Sequence, residues 1–160
     1  LGLAYLFQHR RKECQQVIDQ WTKLKSNSAG IAGGLGFCLI CAGEYDRGYA
    51  MLSESIQLNP YYQWWFNAGL SIYHFQKSEY EDAVYWAEKI QRQSVPWELI
   101  FKIASYVQLD RIDDAKACLI ELHENIPDLT HKLLPIVSAF LQSEELINRL
   151  LTAIRKADLQ

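Results

Sequence analysis

The sequence predicts an all-α chain of about ten helices taken as consecutive pairs. Three observations lead there. Apolar residues recur at helical spacing along almost the whole length, and no run sustains the two-residue alternation of a strand. Gly and Pro are sparse, 8 and 4 in 160 residues, so helices have room to run. Short patterns also return at a period near 34 residues, the length of a two-helix unit.

Taken in order, the predicted helices cover 1–7, 11–25, 29–42, 45–58, 62–76, 79–93, 96–109, 112–125, 129–141 and 144–157. The period appears as Leu1-Gly2 with Tyr5, repeated as Leu35-Gly36 with Leu39 at an offset of 34. Tyr45 returns as Tyr80 at an offset of 35, and Tyr80-Glu81-Asp82-Ala83 as Ile112-Asp113-Asp114-Ala115 at an offset of 32. Pro60, Pro96 and Pro127 stop one helix or open the next. Where paired helices cross, a bulky residue on one helix is expected to pack against a small one on the other. Gly2, Gly36 and Ser71 are the small residues of first helices, and Cys14, Gly48, Ala83 and Ala115 those of second helices. Tyr45, Tyr80 and Ile112 fill the space at the turns. The last helix carries Leu146, Ile147, Leu150, Leu151 and Ile154 on one stripe, with Ser143 as its N-cap and Glu144 and Glu145 suited to its first turn.

Leu35, Gly36, Gly43, Tyr45 and Pro60 stand in the register of the tetratricopeptide repeat, with Gly48 where Ala is usual. Over residues 1–127 the chain resembles that family. The resemblance implies a right-handed α-solenoid of antiparallel pairs forming a single domain over 1–160. It would comprise a partial repeat over 1–28, repeats at 29–61, 62–94 and 95–127, and capping helices over 128–160. Two shorter stretches, the turn Leu58-Asn59-Pro60-Tyr61-Tyr62 before Trp64-Trp65 and the ending Ile154-Arg155-Lys156-Ala157-Asp158-Leu159, resemble a bacterial subgroup. In that subgroup the repeats follow an adenylate or guanylate cyclase domain or a winged-helix DNA-binding domain. Asp158 stands where that subgroup usually has Gly.

Composition narrows the function. The chain is 49% apolar and 22% charged, enough for a core, and its 12% aromatic share calls for deep packing or an apolar groove. Net charge is −3 and the densest cationic cluster, Arg10-Arg11-Lys12, falls at a turn, which argues against direct nucleic-acid binding. No stretch approaches the roughly 20 apolar residues of a membrane span. The start over 1–7 is too short for a signal peptide. The chain opens inside a repeat without an initiating Met, and so reads as a piece of a longer protein. Cys14, Cys38, Cys41 and Cys118 read as reduced thiols of a cytoplasmic protein.

No motif points to catalysis, a metal or a cofactor. Gly30, Gly33, Gly34 and Gly36 do not have the spacing of a phosphate loop and are read as close helix contacts. Cys38-x-x-Cys41 lies within a helix, with Cys14 and Cys118 in other repeats and out of reach, so the four are read as buried small hydrophobes. His9, His74, His123 and His131 do not cluster, and Asp113-Asp114 suit a helix start.

The family resemblance places first helices along the concave face. On that register the candidate partner groove is Phe37, Ile40, Trp65, Asn67, Ala68, Ile72, His74, Phe75, Trp97 and Ile100, with Ala104 and Val107 beyond. The Lys, Asn and Arg residues with which chaperone-binding members clamp a carboxylate are absent at matching positions. The expected function is a non-catalytic interaction scaffold of a bacterial regulatory protein. It would hold a protein or peptide partner, or another domain of its own chain, on an apolar face. The alternative is a structural spacer or homodimerisation module of a cyclase-like enzyme or DNA-binding regulator.

Overall fold

The computed structural model describes residues 2–23, 28–92 and 95–159. Among these it has ten helices and no strand. They are α1 (Gly2–Phe7), α2 (Arg11–Lys23), α3 (Ala29–Cys41), α4 (Tyr45–Leu58), α5 (Trp64–Gln76), α6 (Tyr80–Glu88), α7 (Trp97–Gln108), α8 (Ile112–Asn125), α9 (Leu129–Ser138) and α10 (Glu144–Leu159). The expected start at Leu1, the expected helix ends at Lys25 and Gln93, and the repeat boundary at Ser94 lie outside the described residues.

The turn inside each of the first four helix pairs is the same turn. His9, Gly43, Ser78 and Asp110 each take a left-handed conformation, with φ of 54°, 89°, 63° and 59°. The N–H of the next residue then reaches back to a carbonyl five residues earlier. Arg10 bonds to Tyr5, Glu44 to Leu39, Glu79 to His74 and Arg111 to Tyr106, at 2.8–2.9 Å. This closure satisfies carbonyls that a helix end leaves free. Only Gly43 takes the conformation without a Cβ penalty. Tyr45, Tyr80 and Ile112 pack against the core beside these turns, as their spacing predicts.

Helices α1, α3, α5 and α7 form one row in contact, and the sequence shows why. Helices α3, α5 and α7 are apolar on nearly all sides, with Gly36 to Cys41, Phe66 to Ile72 and Leu99 to Phe101 buried almost continuously. They touch one another, α3 with α5 and α5 with α7, and α1 joins the row through α3. The even-numbered α4 buries only Gly48, Leu52 and Ser55, a single stripe at helical spacing, and α8 only Ala115, Cys118, Leu119 and Leu122. Each covers one side of its partner.

Small residues set the closest crossings. A Cβ built on Gly48 would stand 2.7 Å from the Gly36 carbonyl oxygen, and one on Gly36 2.8 Å from that of Gly48. One period on, the buried Ser71 hydroxyl donates to the Ala83 carbonyl at 2.8 Å. Ser105, 34 residues after Ser71, is likewise a small buried residue of α7, a position the motif reading passes over, though its hydroxyl has no hydrogen-bond partner among the described residues.

Helix α6 stops short of its predicted length. The N–H groups of Lys89 and Ile90 bond three residues back, to Trp86 at 3.2 Å and Ala87 at 3.0 Å, tightening the last turn. Asn67 Nδ2 then donates to the Lys89 carbonyl at 2.7 Å, and Gln91 turns left-handed at φ 47°.

The last two helices pack differently from those before them, α10 lying chiefly against α7 rather than α9. Past Ser138 the chain crosses back to the beginning. The Gln142 amide N–H donates to the Cys41 carbonyl at 3.0 Å, and its side chain donates to the Leu6 carbonyl at 3.0 Å. Helix α10 then starts from the Ser143 cap, whose Oγ accepts the Leu146 N–H at 3.3 Å. It passes the end of α5, where Arg149 donates to the carbonyls of Phe75 and Gln76, and packs on α7 and α8. Leu146, Leu150, Leu151 and Ile154 are buried there, as the stripe predicts. No helix among the described residues is long and apolar enough to cross a membrane.

Candidate functional site

Between helices α1, α3, α5 and α7 and the returning segment lies an apolar pocket of about 200 Å³. Helix α5 forms its floor with Trp64, Trp65, Ala68 and Ile72, three and four residues apart on one face. Phe37 of α3 and Trp97 of α7 stand on either side, and Phe7 from the end of α1 and Phe140 from the return complete it. The rings interlock. Phe37 meets Trp65 edge-on at 5.4 Å, Phe140 meets Trp97 edge-on at 5.5 Å, and Phe7 lies 5.0 Å from Phe140. These walls are almost wholly carbon, so the pocket offers water no partners and favours an apolar occupant. A cavity of about 150 Å³ with such walls holds one benzene ring. The space here suits a single large side chain.

Five predicted groove residues, Phe37, Trp65, Ala68, Ile72 and Trp97, come together in this pocket. The others do not. Ile40, Phe75 and Ile100 are fully buried between helices, as are Ala104 and, nearly so, Val107. A helix that is apolar all round gives no stripe by which to tell its open side from its packed sides. Asn67 is turned away to close α6 through Lys89. Its Oδ1 is buried and has no hydrogen-bond partner among the described residues. His74 sits on the α5–α6 turn, edge-on to Tyr49 and Tyr73, with its Nδ1 2.7 Å from Glu79. Trp64, Phe7 and Phe140 also line the pocket, although the repeat register does not place them there. Trp64 was legible as the neighbour of Trp65 at the helix start. Phe140 belongs to a segment whose route is fixed only by contacts distant in sequence.

Trp64 is shared with a second, polar hollow lined also by Tyr62, Gln63, Asn67, Lys89 and Arg92. The Arg92 guanidinium lies 5.9 Å from the centre of the Trp64 ring, and the Lys89 ammonium 4.4 Å from that of Tyr85.

The remaining polar clusters have ordinary roles. His74, Glu79 and Asp82 bring ligand-type atoms within 4.8 Å of one another. Both carboxylates are exposed at the start of α6, where the helix dipole favours them without an ion. All four cysteines are buried and free. One expectation needs correction. Cys14 is a close neighbour of Cys38 rather than out of its reach, because α2 leans on α3 as well as on α1. That neighbouring thiol and burial push Cys38 well above the usual thiol range, and burial does the same to Cys41, so both stay protonated and unreactive. Gly33 leaves room for the Phe66 ring, which would stand 2.1 Å from a Cβ there, and Gly36 for α4. The glycine cluster is thus mainly a packing feature.

Comparison with protein families, with characterised proteins and with solved structures finds no match for the chain.

Proposed function

We propose that the chain is a right-handed, tetratricopeptide-like solenoid of antiparallel helix pairs, a non-catalytic module that docks a protein partner through its aromatic pocket. The repeated left-handed turns, the small-residue crossings and the contacts joining α1, α3, α5 and α7 support the repeat reading. The docking reading is carried by one observation: eight side chains from four helices and the return segment surround an open, carbon-lined space sized for one side chain. In this reading the module serves a larger cytoplasmic bacterial regulator.

The test is a titration with acetyl-phenylalanine amide, followed by tryptophan fluorescence, since Trp64, Trp65 and Trp97 border the pocket. The native chain should respond saturably. Ala68→Leu, which adds carbon to the pocket wall, should weaken binding about tenfold or more, roughly 1.4 kcal/mol, with helicity unchanged. Undiminished binding by that variant would remove the pocket as the docking site.

A second reading, the spacer or homodimerisation module, is favoured by Leu58 and Tyr61. These apolar side chains remain 67% and 89% exposed at the α4–α5 turn. If they form a self-association surface, sedimentation should show a concentration-dependent dimer that Leu58→Glu abolishes. A monomer at high concentration rejects dimerisation.

A further inference from the structure

We infer that the partner segment is acidic: an internal stretch of polypeptide that seats one large apolar side chain in the pocket and lays neighbouring carboxylates against Lys89 and Arg92. The inference rests on the docking reading above and specifies its chemistry.

Charge on the two sides of Trp64 carries it. The pocket itself has almost no polar surface and selects only for an apolar anchor. Across Trp64 the wall becomes cationic. Lys89 and Arg92 lie over the rings of Tyr85 and Trp64, and neither has a carboxylate within ion-pair distance among the described residues. Three acids stand nearby, and none is paired with either cation among the described residues. Glu98, 3.8 Å from Lys102, and Glu121 line a hollow that Arg92 also borders, without coming within ion-pair distance of Arg92. Glu88 is exposed just before Lys89.

Among the described residues, no cation lines the opposite side of the pocket. Phe140 is flanked by Ala139 and Leu141, and Arg10, beyond Phe7, is paired with Glu13 at 2.9 Å. An apolar anchor flanked by acids therefore meets carbon in the pocket and positive charge beside it. A basic flank meets like charge at the same place. Such complementarity selects partners and orients them more than it adds affinity.

Three capped peptides in a Gly-Ser background test this on the intact chain: Asp-Asp-Phe-Asp-Asp, Lys-Lys-Phe-Lys-Lys and Asp-Asp-Ala-Asp-Asp. Capping removes terminal charges, so side-chain carboxylates are the only anions offered. The acidic Phe peptide should bind about fivefold or more tightly than its lysine counterpart, the scale of two exposed charge contacts. The ratio should shrink as salt is raised. Arg92→Gln together with Lys89→Gln should bring it toward one while Phe-dependent binding persists. Equal binding of the acidic and basic Phe peptides overturns the inference and leaves the pocket reading standing. If the Ala peptide binds as well as the acidic Phe peptide, or if none binds, both are overturned.

Discussion

Gly48→Ala should destabilise the fold by about 2 kcal/mol or more, although Ala is the better helix former by about 1 kcal/mol. The added Cβ would stand 2.7 Å from the Gly36 carbonyl oxygen, 2.7 Å from Ile40 Cγ1 and 2.8 Å from the Ile40 backbone nitrogen. Two of those three are backbone atoms of α3, so no rotamer change can relieve the contact. Helices α3 and α4 must move apart, and overpacking that forces backbone shifts costs about 1–3 kcal/mol, occasionally more. Gly30→Ala is the matched control, in the same sequence cluster. A Cβ there meets nothing within 4 Å, so the variant should gain up to about 1 kcal/mol of helix propensity. Urea denaturation followed by circular dichroism should move the midpoint down for the first and up for the second. A Gly48→Ala midpoint at or above that of the parent chain would mean that the crossing is looser than its geometry indicates.

The opposite signs expected at Gly48 and Gly30 mark what is legible in this sequence. Features repeated at the period could be read directly. Tyr45, Tyr80 and Ile112 recur at matched distances from their turns, and Gly36 and Gly48 pair where two helices cross. Ser105 escaped because a hydroxyl in an apolar helix resembles a chance substitution, and only its spacing from Ser71 identifies it. The inner face was harder. Ile40, Phe75 and Ile100 look like Phe37, Ile72 and Trp97 on any scale of hydrophobicity. Which of them face the pocket depends on the tilt of each helix against two neighbours. The return of the chain was not legible at all. Gln142 bonds to the Leu6 carbonyl across 136 residues, and no local pattern records so distant a contact. Phe140 enters the pocket by that route.

The same return is tied down by Arg149, whose side chain joins α10 to the end of α5. Arg149→Ala should cost about 3 kcal/mol and act first on α10. The guanidinium donates to the Phe75 carbonyl at 3.1 Å and to the Gln76 side-chain oxygen at 3.1 Å, with weaker contacts to the Gln76 carbonyl at 3.5 Å and the Tyr80 hydroxyl at 3.4 Å. It also lies 5.0 Å from the centre of the Phe75 ring. Those carbonyls end α5, where unpaired acceptors and the helix dipole both favour a cation. Hydrogen bonds from a charged group contribute about 1.5–3 kcal/mol each, so the loss of two good ones and the ring contact exceeds any single surface ion pair. Arg149→Lys keeps the charge but loses the planar fork that reaches two residues at once, and should fall between the parent and Ala. Hydrogen exchange separates this local role from general destabilisation. Amides of α10 should lose protection in Arg149→Ala while those of α3 and α4 keep theirs. Because Phe140 is held in the pocket by the segment leading into α10, the emission of the pocket tryptophans should shift in the same variant. Uniform loss of protection along the chain would show that α10 does not open separately and that Arg149 stabilises the fold as one cooperative unit.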